Sequence, residues 1–301
     1  MTLASTIAKS LQLPERYIMR VAASASYRYK AFKIKKADGK SNRLIEQPSK
    51  ELKLLQRWLV RRVLDQLPTH ACAHAYVKGR NIRTNAAPHR KGRYISRLDL
   101  KNFFPSLKSG DVESLLRYKR RSVRGFTLTD RDVRLVSSLV CRFGRLTIGA
   151  PSSPTISNKL LYDLDSQITR IAAKHNAKYT RYADDLYFSS SEPGTLFELC
   201  KQVEDLIDNS GSPRLTLNNR KTYHGSRKRR MAITGLRITP QAKISVGREL
   251  KRKIRVFAHK AENNKLEAEE LGWLRGMLAY VSSIEPEYAD RIRTRYDVDV
   301  S

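Results

Sequence analysis

Apolar side chains follow two spacings along the chain. In some stretches they recur three and four positions apart, which predicts amphipathic helices. These stretches are 2–24 (broken at Pro14), 49–67, 109–146 (two helices), 155–173, 195–209, 247–263 and 268–283. Elsewhere, strand-forming residue types predict strands or hairpins, at 27–47, 94–100, 178–189, 214–217 and 231–238. The chain is therefore a mixture of helices and short strands, and it shows no internal repeat.

Two adjacent acids interrupt one of the strand-like stretches. Residues 178–189 read Lys-Tyr-Thr-Arg-Tyr-Ala-Asp-Asp-Leu-Tyr-Phe-Ser, which predicts a hairpin with Asp184 and Asp185 at its tip. Mg²⁺ takes one or two carboxylates together with substrate phosphates, and two such ions can clamp an in-line phosphoryl transfer. An Asp-Asp pair alone more often marks a solvated turn, so this interpretation requires further acids.

A third acid ends the predicted strand 94–100. A carboxylate at the end of a buried strand is costly unless it is paired or bound to a cation, and Asp99 therefore requires a cationic partner. If this strand neighbours the acidic hairpin in one sheet, three carboxylates meet and can hold two Mg²⁺ ions. Phosphoryl transfer is catalysed mainly by positioning and electrostatic stabilisation, so this arrangement suits a nucleotidyltransferase.

The charge balance predicts a polyanionic partner. The 301 residues include 59 Lys and Arg against 29 Asp and Glu, a formal net charge of +30. The basic residues run from Arg16 to Arg295, which favours nucleic-acid binding over a single solubilising tail. No apolar run is long enough for a membrane span and no signal pattern opens the chain, so we expect a cytoplasmic protein without a membrane partner. The three cysteines lack metal-ligand spacing.

The predicted hairpin at 27–47 alternates basic and apolar residues. One face can pack on a core while the other contacts phosphates, as a lid over a triphosphate requires, and Lys40 and Arg43 are the candidate contacts. An ordinary solvated edge hairpin explains the same pattern. Further on, the turn Gly149-Ala150-Pro-Ser-Ser-Pro would let another backbone approach closely, or would simply precede a helix.

Four motifs occur in a characteristic order: Asp99-Leu-Lys-Asn-Phe-Phe-Pro-Ser, Gly149-Ala-Pro-Ser-Ser-Pro, Tyr182-Ala-Asp-Asp and Leu217-Asn-Asn-Arg-Lys-Thr. In this order and spacing the sequence resembles the reverse transcriptases from about residue 27 onward. More narrowly it resembles the bacterial retron reverse transcriptases. Asn85-Ala-Ala-Pro-His is similar to their Asn-Ala-x-x-His element, and Ile233-Thr-Gly-Leu to their Val-Thr-Gly-Leu.

The resemblance implies an α+β fold with the right-hand polymerase architecture of fingers, a palm with an antiparallel sheet, and a small helical thumb. Residues 1–93 would form the N-terminal helices and fingers. The palm would span 94–238, with inserted fingers helices at about 107–147, and the thumb would span 239–301.

The same resemblance implies the catalytic residues. Asp99, Asp184 and Asp185 would bind two Mg²⁺ ions, with the Leu100 carbonyl as a further ligand. Lys221 would lie near the departing pyrophosphate, where a proton donor is useful.

The resemblance also implies nucleotide and RNA contacts. The expected nucleotide-binding residues are Lys40, Arg43, Phe104, Gly149 and Ala150, and Phe104 would act as a steric gate against a ribose 2′-hydroxyl. The expected RNA-binding residues are Asn85, His89, Thr234 and Gly235. The chain departs from many relatives at Ile148, where they have Gln, which puts a polar nucleotide contact from that position in doubt.

The implied function is RNA-directed DNA synthesis in a retron. Such an enzyme copies a cognate non-coding RNA into multicopy single-stranded DNA from dNTPs, primes from an RNA 2′-hydroxyl, and acts in anti-phage defence. Because no ribonuclease H domain or effector follows the predicted thumb, host ribonuclease H and a separate effector protein are expected partners. The alternatives are a group II intron-like, diversity-generating or abortive-infection reverse transcriptase, and a non-catalytic RNA-binding scaffold, which the three acids disfavour.

Overall fold

A computed structural model describes residues 2–35, 39, 41–123, 127–229 and 231–297. Two short helices open the fold, α1 (Leu3–Leu11) and α2 (Glu15–Ala23). The Thr2 side chain caps α1 by accepting a hydrogen bond from the Ser5 N–H, and Pro14 immediately precedes α2. The predicted break at this proline is therefore confirmed.

The basic hairpin follows these helices. Strands β1 (Tyr29–Lys35) and β2 (Asn42–Pro48) pair antiparallel with Phe32 opposite Ile45, as predicted. Asp38 and Lys40, between the two strands, lie outside the described residues. Helix α3 (Lys50–Arg62) comes next, within the predicted stretch 49–67.

Four antiparallel strands form the central sheet: β3 (Tyr94–Asp99), β4 (Lys178–Tyr182), β5 (Asp185–Ser190) and β6 (Tyr223–Ser226), in the order β4-β5-β3-β6. The prediction of a strand at 214–217 is wrong. That segment lies beyond the end of β3 and makes a single bridge from Leu217 to Leu100. The strand that pairs with the outer edge of β3 is β6, which lies outside the stretches predicted as strands.

The following helices share hydrophobic cores with this sheet: α4 (Ile82–Ala86), α5 (Phe103–Ser106), α6 (Ser109–Tyr118), α7 (Asp130–Val140), α8 (Ser153–Leu160), α9 (Tyr162–Lys174) and α10 (Thr195–Asp208). The single helix predicted at 155–173 is divided at Leu161. One hydrophobic core joins α1, α2, α3, α7 and the sheet, through side chains such as Leu52, Val136 and Phe188. The N-terminal helices are thus continuous with the body that holds the sheet.

A second, three-stranded sheet follows, made of β7 (Ala232–Ile233), β8 (Leu236–Ile238) and β9 (Ile244–Ser245). The stretch predicted as one strand at 231–238 is therefore a hairpin. Thr234 and Gly235 form its two-residue turn with φ of 46° and 84°, and positive φ at both positions is typical of a type I′ turn. The predicted single strand is divided because Gly235 and the neighbouring Thr234 both adopt positive φ, which reverses the chain between β7 and β8.

Three C-terminal helices have a core of their own: α11 (Arg248–Glu262), α12 (Ala268–Ser282) and α13 (Pro286–Tyr296). Buried Ile254, Leu278 and Ile292 represent this core, which confirms the expectation of a small helical lobe. Within the part of the chain that the structure describes, no helix combines the length and apolar composition that crossing a membrane requires.

Candidate active site

Two acids from different strands face each other at the end of the central sheet. Asp99 is the last residue of β3 and Asp185 the first of β5, and the antiparallel register places them directly opposite one another. Residues opposite each other in an antiparallel pair project to the same face of the sheet. The pairing of β3 with β5 thus brings together the acids that the sequence predicted would meet.

The third acid lies in the turn that joins β4 and β5. Ala183 adopts a φ of 57° there, so the chain reverses within two residues between Tyr182 and Asp185. The Leu100 N–H donates a hydrogen bond to the Asp184 carbonyl over 2.9 Å, which fixes the turn against the end of β3. The short tight turn holds Asp184 beside the opposed pair.

Burial and neighbouring carboxylates raise the pKa of Asp184 and of Asp185. Burial and the neighbouring Asp184 raise the pKa of Asp185 to about 6. Burial also raises the pKa of Asp184, with a further contribution from Asp99. Arg97 lies 3.9 Å from Asp185 and offsets part of this repulsion. A site with this charge distribution has a strong electrostatic preference for a divalent cation.

Asp99 has two protein partners. Lys221 Nζ donates a hydrogen bond to Asp99 Oδ2 at 2.9 Å, and Asn218 Nδ2 donates to Oδ1 at 3.1 Å. The backbone N–H of Asn218 also donates to the Asp99 carbonyl over 2.8 Å. The predicted Lys221 therefore lies at the acids, while the sequence analysis did not identify Asn218 as a site residue.

A second cluster of metal-type ligand atoms lies elsewhere in the fold. Among the described residues, ligand atoms of His70, Cys72 and Asp165 all lie within 4.8 Å of one another. Asp165 is already held by a buried ion pair with Arg181 at 2.7 Å, and burial raises the pKa of the Cys72 thiol. This cluster is a charge network that ties α9 to β4, outside the cleft.

Asp99 and Asp184 line a cleft of about 440 Å³. Arg43 of β2 and Phe104 of α5, the predicted nucleotide contacts, line it together with Lys221, the predicted catalytic residue. Phe104 stacks on Phe103, which is buried, at a centroid distance of 5.4 Å. The ring of Tyr76, a residue that no sequence motif singled out, lies 6.3 Å from Phe104 on the same cleft.

Gly149 and Ala150 are placed behind the cleft wall. Gly149 has a φ of 119°, and a Cβ there would lie 2.9 Å from the Glu46 carbonyl oxygen. The Glu46 N–H in turn donates to the Ile148 carbonyl over 2.7 Å. Ala150 is buried, and the cleft is lined by Ile148 instead. The small residues of this turn thus allow the backbone of β2 to approach closely. Gly149 and Ala150 were predicted to contact nucleotide, but in the structure they lie behind the cleft wall and support it.

Asn85 and His89 are fully buried, so the prediction that their side chains contact RNA is wrong for this structure. The two ring nitrogens of His89 lie 2.7 Å from Ser189 Oγ and 2.8 Å from Thr180 Oγ1, across β5 and β4. Burial lowers the pKa of His89 to about 3, so its ring is neutral. Through these contacts, His89 holds α4 and the residues that follow it against the back of the acidic hairpin.

The Thr234-Gly235 turn is linked to the acids through a tyrosine. Tyr187 is buried, and its hydroxyl donates to Asp185 Oδ2 at 3.2 Å and accepts from the Thr234 N–H at 3.1 Å. Gly235 is exposed at the tip of the turn. Sequence reasoning missed Tyr187, although its position two residues after Asp185 in a strand places both on one face.

Residues 34–238 match the family described as reverse transcriptase (RNA-dependent DNA polymerase). This span is more than half of the chain and includes all three acids of the cleft. The chain therefore belongs to the reverse transcriptase family and is an RNA-directed DNA polymerase. Enzymes of this family generally use divalent metal ions, which agrees with the charge of the site.

Within the family the chain belongs with the retron enzymes. It is 32% identical to the retron Ec83 reverse transcriptase of Escherichia coli over 276 residues, which cover 89% of this chain and 86% of that protein. It is 31% identical to the retron Ec86 reverse transcriptase of the same species over 96% of this chain and 86% of that one. The retron Mx65 reverse transcriptase of Myxococcus xanthus is 32% identical over 89% of this chain and 64% of its own length.

Solved telomerase structures share the fold. Apo telomerase from Candida tropicalis, truncated from its C-terminal domain, has a TM-score of 0.53 at 13% identity over 76% of this chain and 58% of that one. Telomerase from Candida albicans, in complex with a TWJ fragment of telomeric RNA, has a TM-score of 0.51 at 12% identity over 88% and 56%. The chain thus spans a little more than half of each telomerase chain, and the predicted α+β polymerase fold is confirmed.

Proposed function

We propose that this chain is the polymerase of a retron. It copies a cognate structured non-coding RNA into multicopy single-stranded DNA, starts synthesis from an RNA 2′-hydroxyl, and acts in anti-phage defence in the cytoplasm. Host ribonuclease H and a separate effector protein are its proposed partners. The observation that carries the catalytic part is the opposition of Asp99 and Asp185 across two antiparallel strands, with Asp184 beside them, in a cleft lined by basic and aromatic side chains.

The donor chemistry of the site fits two Mg²⁺ ions. Asp99, Asp184 and Asp185 are hard oxygen ligands, and the Leu100 carbonyl is a proposed further one. When bound, the ions would stabilise the attacking and leaving oxygens of the phosphoryl transfer. The raised pKa values of Asp184 and Asp185 support this assignment, because a bound cation offsets the repulsion and burial that raise them.

The other cleft residues receive roles from their positions. Arg43 is exposed on the cleft side of β2 and is proposed to bind the dNTP triphosphate. Lys221 is proposed to hold a proton for the departing pyrophosphate. The Phe104 ring, braced by Phe103, is proposed to exclude a 2′-hydroxyl. Lys40 lies outside the described residues, and its triphosphate contact stays a prediction.

RNA recognition is proposed to use the exposed turn at Thr234 and Gly235. Asn85 and His89 would act indirectly, by holding α4 and its neighbouring basic residues in place.

The domain division is proposed from the resemblance to the reverse transcriptases. The N-terminal helices and fingers would span 1–93, the palm 94–238 with inserted helices at about 107–147, and the thumb 239–301.

The test is DNA synthesis by Asp184→Asn and Asp185→Asn variants. Each should abolish Mg²⁺-dependent primer extension on RNA, because the site loses a ligand charge. RNA binding in a filter assay should stay within about twofold of the unaltered protein, because basic side chains, which these variants keep, make the phosphate contacts that dominate affinity. Asp208→Asn, an exposed acid at the end of α10, is the matched control. Synthesis near the original rate in either cleft variant would overturn the assignment.

Sequencing nucleic acid that copurifies with the protein tests the retron part, and a branched RNA–DNA product is expected.

A further inference from the structure

Two large aromatic side chains form an exposed pair on the hairpin side of the molecule. Tyr27 is 80% exposed and Phe143 is 58% exposed, and their rings meet edge to face at a centroid distance of 5.6 Å. Scattered exposed aromatics are ordinary, but a contacting pair with this much open surface is a candidate interaction site.

The backbone holds this pair in place. Phe143 has a φ of 46°, an uncommon conformation for a bulky residue that costs on the order of 1–3 kcal/mol. The Phe143 N–H donates to Ser26 Oγ at 3.0 Å, and Arg142 Nε donates to the Ser26 carbonyl at 3.1 Å. These contacts keep the Phe143 ring on the surface beside Tyr27, although nothing covers it among the described residues.

An arginine beside the pair connects it to the wall of the cleft. The Arg142 guanidinium lies 5.2 Å from the Phe143 ring. Arg142 and Arg145 both bind the buried Glu46 carboxylate, so two cations share one anion. Arg145 and Glu46 also line the active-site cleft. Arg142 therefore lies between the exposed ring of Phe143 and Glu46 of the cleft wall.

We propose that Tyr27 and Phe143 form a stacking surface for an unpaired base of the RNA template, just before that strand enters the cleft. This inference rests on the proposed function and names where the single-stranded substrate is held. Aromatic faces interleaved with arginines are the chemistry that binds single strands without regard to sequence, because every base offers a π-face and every linkage a phosphate. Arg142 and Arg145 exceed the single Glu46 carboxylate by one positive charge, and an RNA phosphate would gain more from that charge than a protein partner would.

The test compares two RNA–DNA duplexes that differ only in an unpaired 5′ extension of the template. Equilibrium binding is measured by fluorescence anisotropy for Tyr27→Ala/Phe143→Ala. We expect affinity for the extended duplex to fall at least about fivefold, the lower end of the loss for one stacked base. Affinity for the blunt duplex should stay the same. Tyr27→Phe/Phe143→Tyr keeps both rings and should keep both affinities.

The control is Phe197→Ala, which removes another strongly exposed aromatic ring, on α10 beside His224 of β6. It should leave the ratio of the two affinities unchanged. An unchanged ratio in the double alanine variant, or an equal loss on both duplexes, would overturn the proposal. Because the assay measures binding without synthesis, its failure is distinguishable from a failure of the catalytic assignment, which the aspartate variants report separately.

Discussion

At the scale of single residues, the acid at the start of β5 depends on a partner behind it. The Tyr187 hydroxyl bridges Asp185 and the Thr234 N–H. The substitution Tyr187→Phe removes this hydroxyl, which frees the Asp185 carboxylate and leaves the Thr234 N–H unpaired. Asp185 is a proposed metal ligand, and in metal sites the loss of a residue that orients a ligand costs on the order of 10-fold in activity. We expect kcat for primer extension to fall by about this factor while KM for dNTP changes little.

The control for this prediction is Tyr288→Phe, which removes a hydroxyl that donates to the Lys251 carbonyl in the C-terminal helices. Steady-state primer extension should separate the two variants. A Tyr187→Phe enzyme with normal kcat would show that Asp185 is held without the tyrosine.

A second residue-scale prediction concerns pH. The pKa of His89 is about 3 in the folded chain and about 6.5 in an unfolded one. Below pH 6.5 the unfolded chain binds a proton that the folded chain does not, so folding stability falls as the pH falls. Between pH 7 and pH 5 this single imidazole accounts for about 2 kcal/mol of lost stability.

Urea unfolding of the His89→Gln variant measures that contribution. The change in unfolding free energy between pH 7 and pH 5 should shrink by about 2 kcal/mol, whatever the variant's absolute stability. His259→Gln, at an exposed position on α11, controls for loss of an imidazole. An unchanged pH slope in His89→Gln would contradict the burial of a neutral ring.

These residues also mark how far sequence reasoning reached. Asp99, Asp184 and Asp185 were predicted because strand ends and tight turns are local features of the chain. The burial of His89 was not, because its partners Thr180 and Ser189 are 91 and 100 residues away. Local pattern identifies a polar residue, but only tertiary packing decides whether it faces solvent or another strand.

At the scale of elements, one glycine determines how closely the basic hairpin approaches the sheet. A Cβ at position 149 would lie 2.9 Å from the Glu46 carbonyl oxygen, at a φ of 119° that side chains rarely adopt. Gly149→Ala should therefore displace β2 and cost about 1–3 kcal/mol of stability. Because Arg43 is on the same strand, KM for dNTP should rise while residual kcat is retained.

Gly276→Ala is the matched control, because no heavy atom lies within 4 Å of a Cβ added there and the position is inside helix α12. It should raise stability by up to about 1 kcal/mol. Thermal unfolding and dNTP titrations compare the two variants. Equal KM values for both would show that the hairpin tolerates the added methyl group.

Element boundaries were predicted less well than element types. The strand pattern at 231–238 conceals a two-residue turn, because Thr favours strands and only the folded chain shows its φ of 46°. The strand-like residues 214–217 have no strand beside them, since β3 ends at Asp99. Strand propensity becomes a strand only where a neighbour supplies hydrogen-bond partners.

At the scale of the whole molecule, the net charge of +30 predicted a polyanion but not its location. The fold gathers part of that charge into a groove of about 820 Å³ between the second sheet and the start of α11. Its lining includes six basic side chains and one acidic side chain, namely Arg227, Lys228, Arg229, Arg237, Arg248, Lys251 and Glu249. Residues from separate elements form it, so no single stretch of sequence identified it.

We expect this groove to bind RNA phosphates. Each phosphate contact contributes about 0.7 to 0.9 to the slope of log affinity against log salt concentration. Lys228→Gln/Arg229→Gln should therefore reduce that slope by roughly 1.4 to 1.8 in a filter-binding titration, because two exposed cations in the groove are removed.

The control removes the same net charge elsewhere. Lys178→Gln/Lys201→Gln neutralises two exposed lysines, at the start of β4 and on α10, that do not line the groove. If the charge of the whole molecule alone attracted the RNA, both double variants would lower affinity alike. A smaller slope confined to the groove variant shows instead that the fold concentrates phosphate contacts at this surface, and equal slopes in the two variants would contradict it.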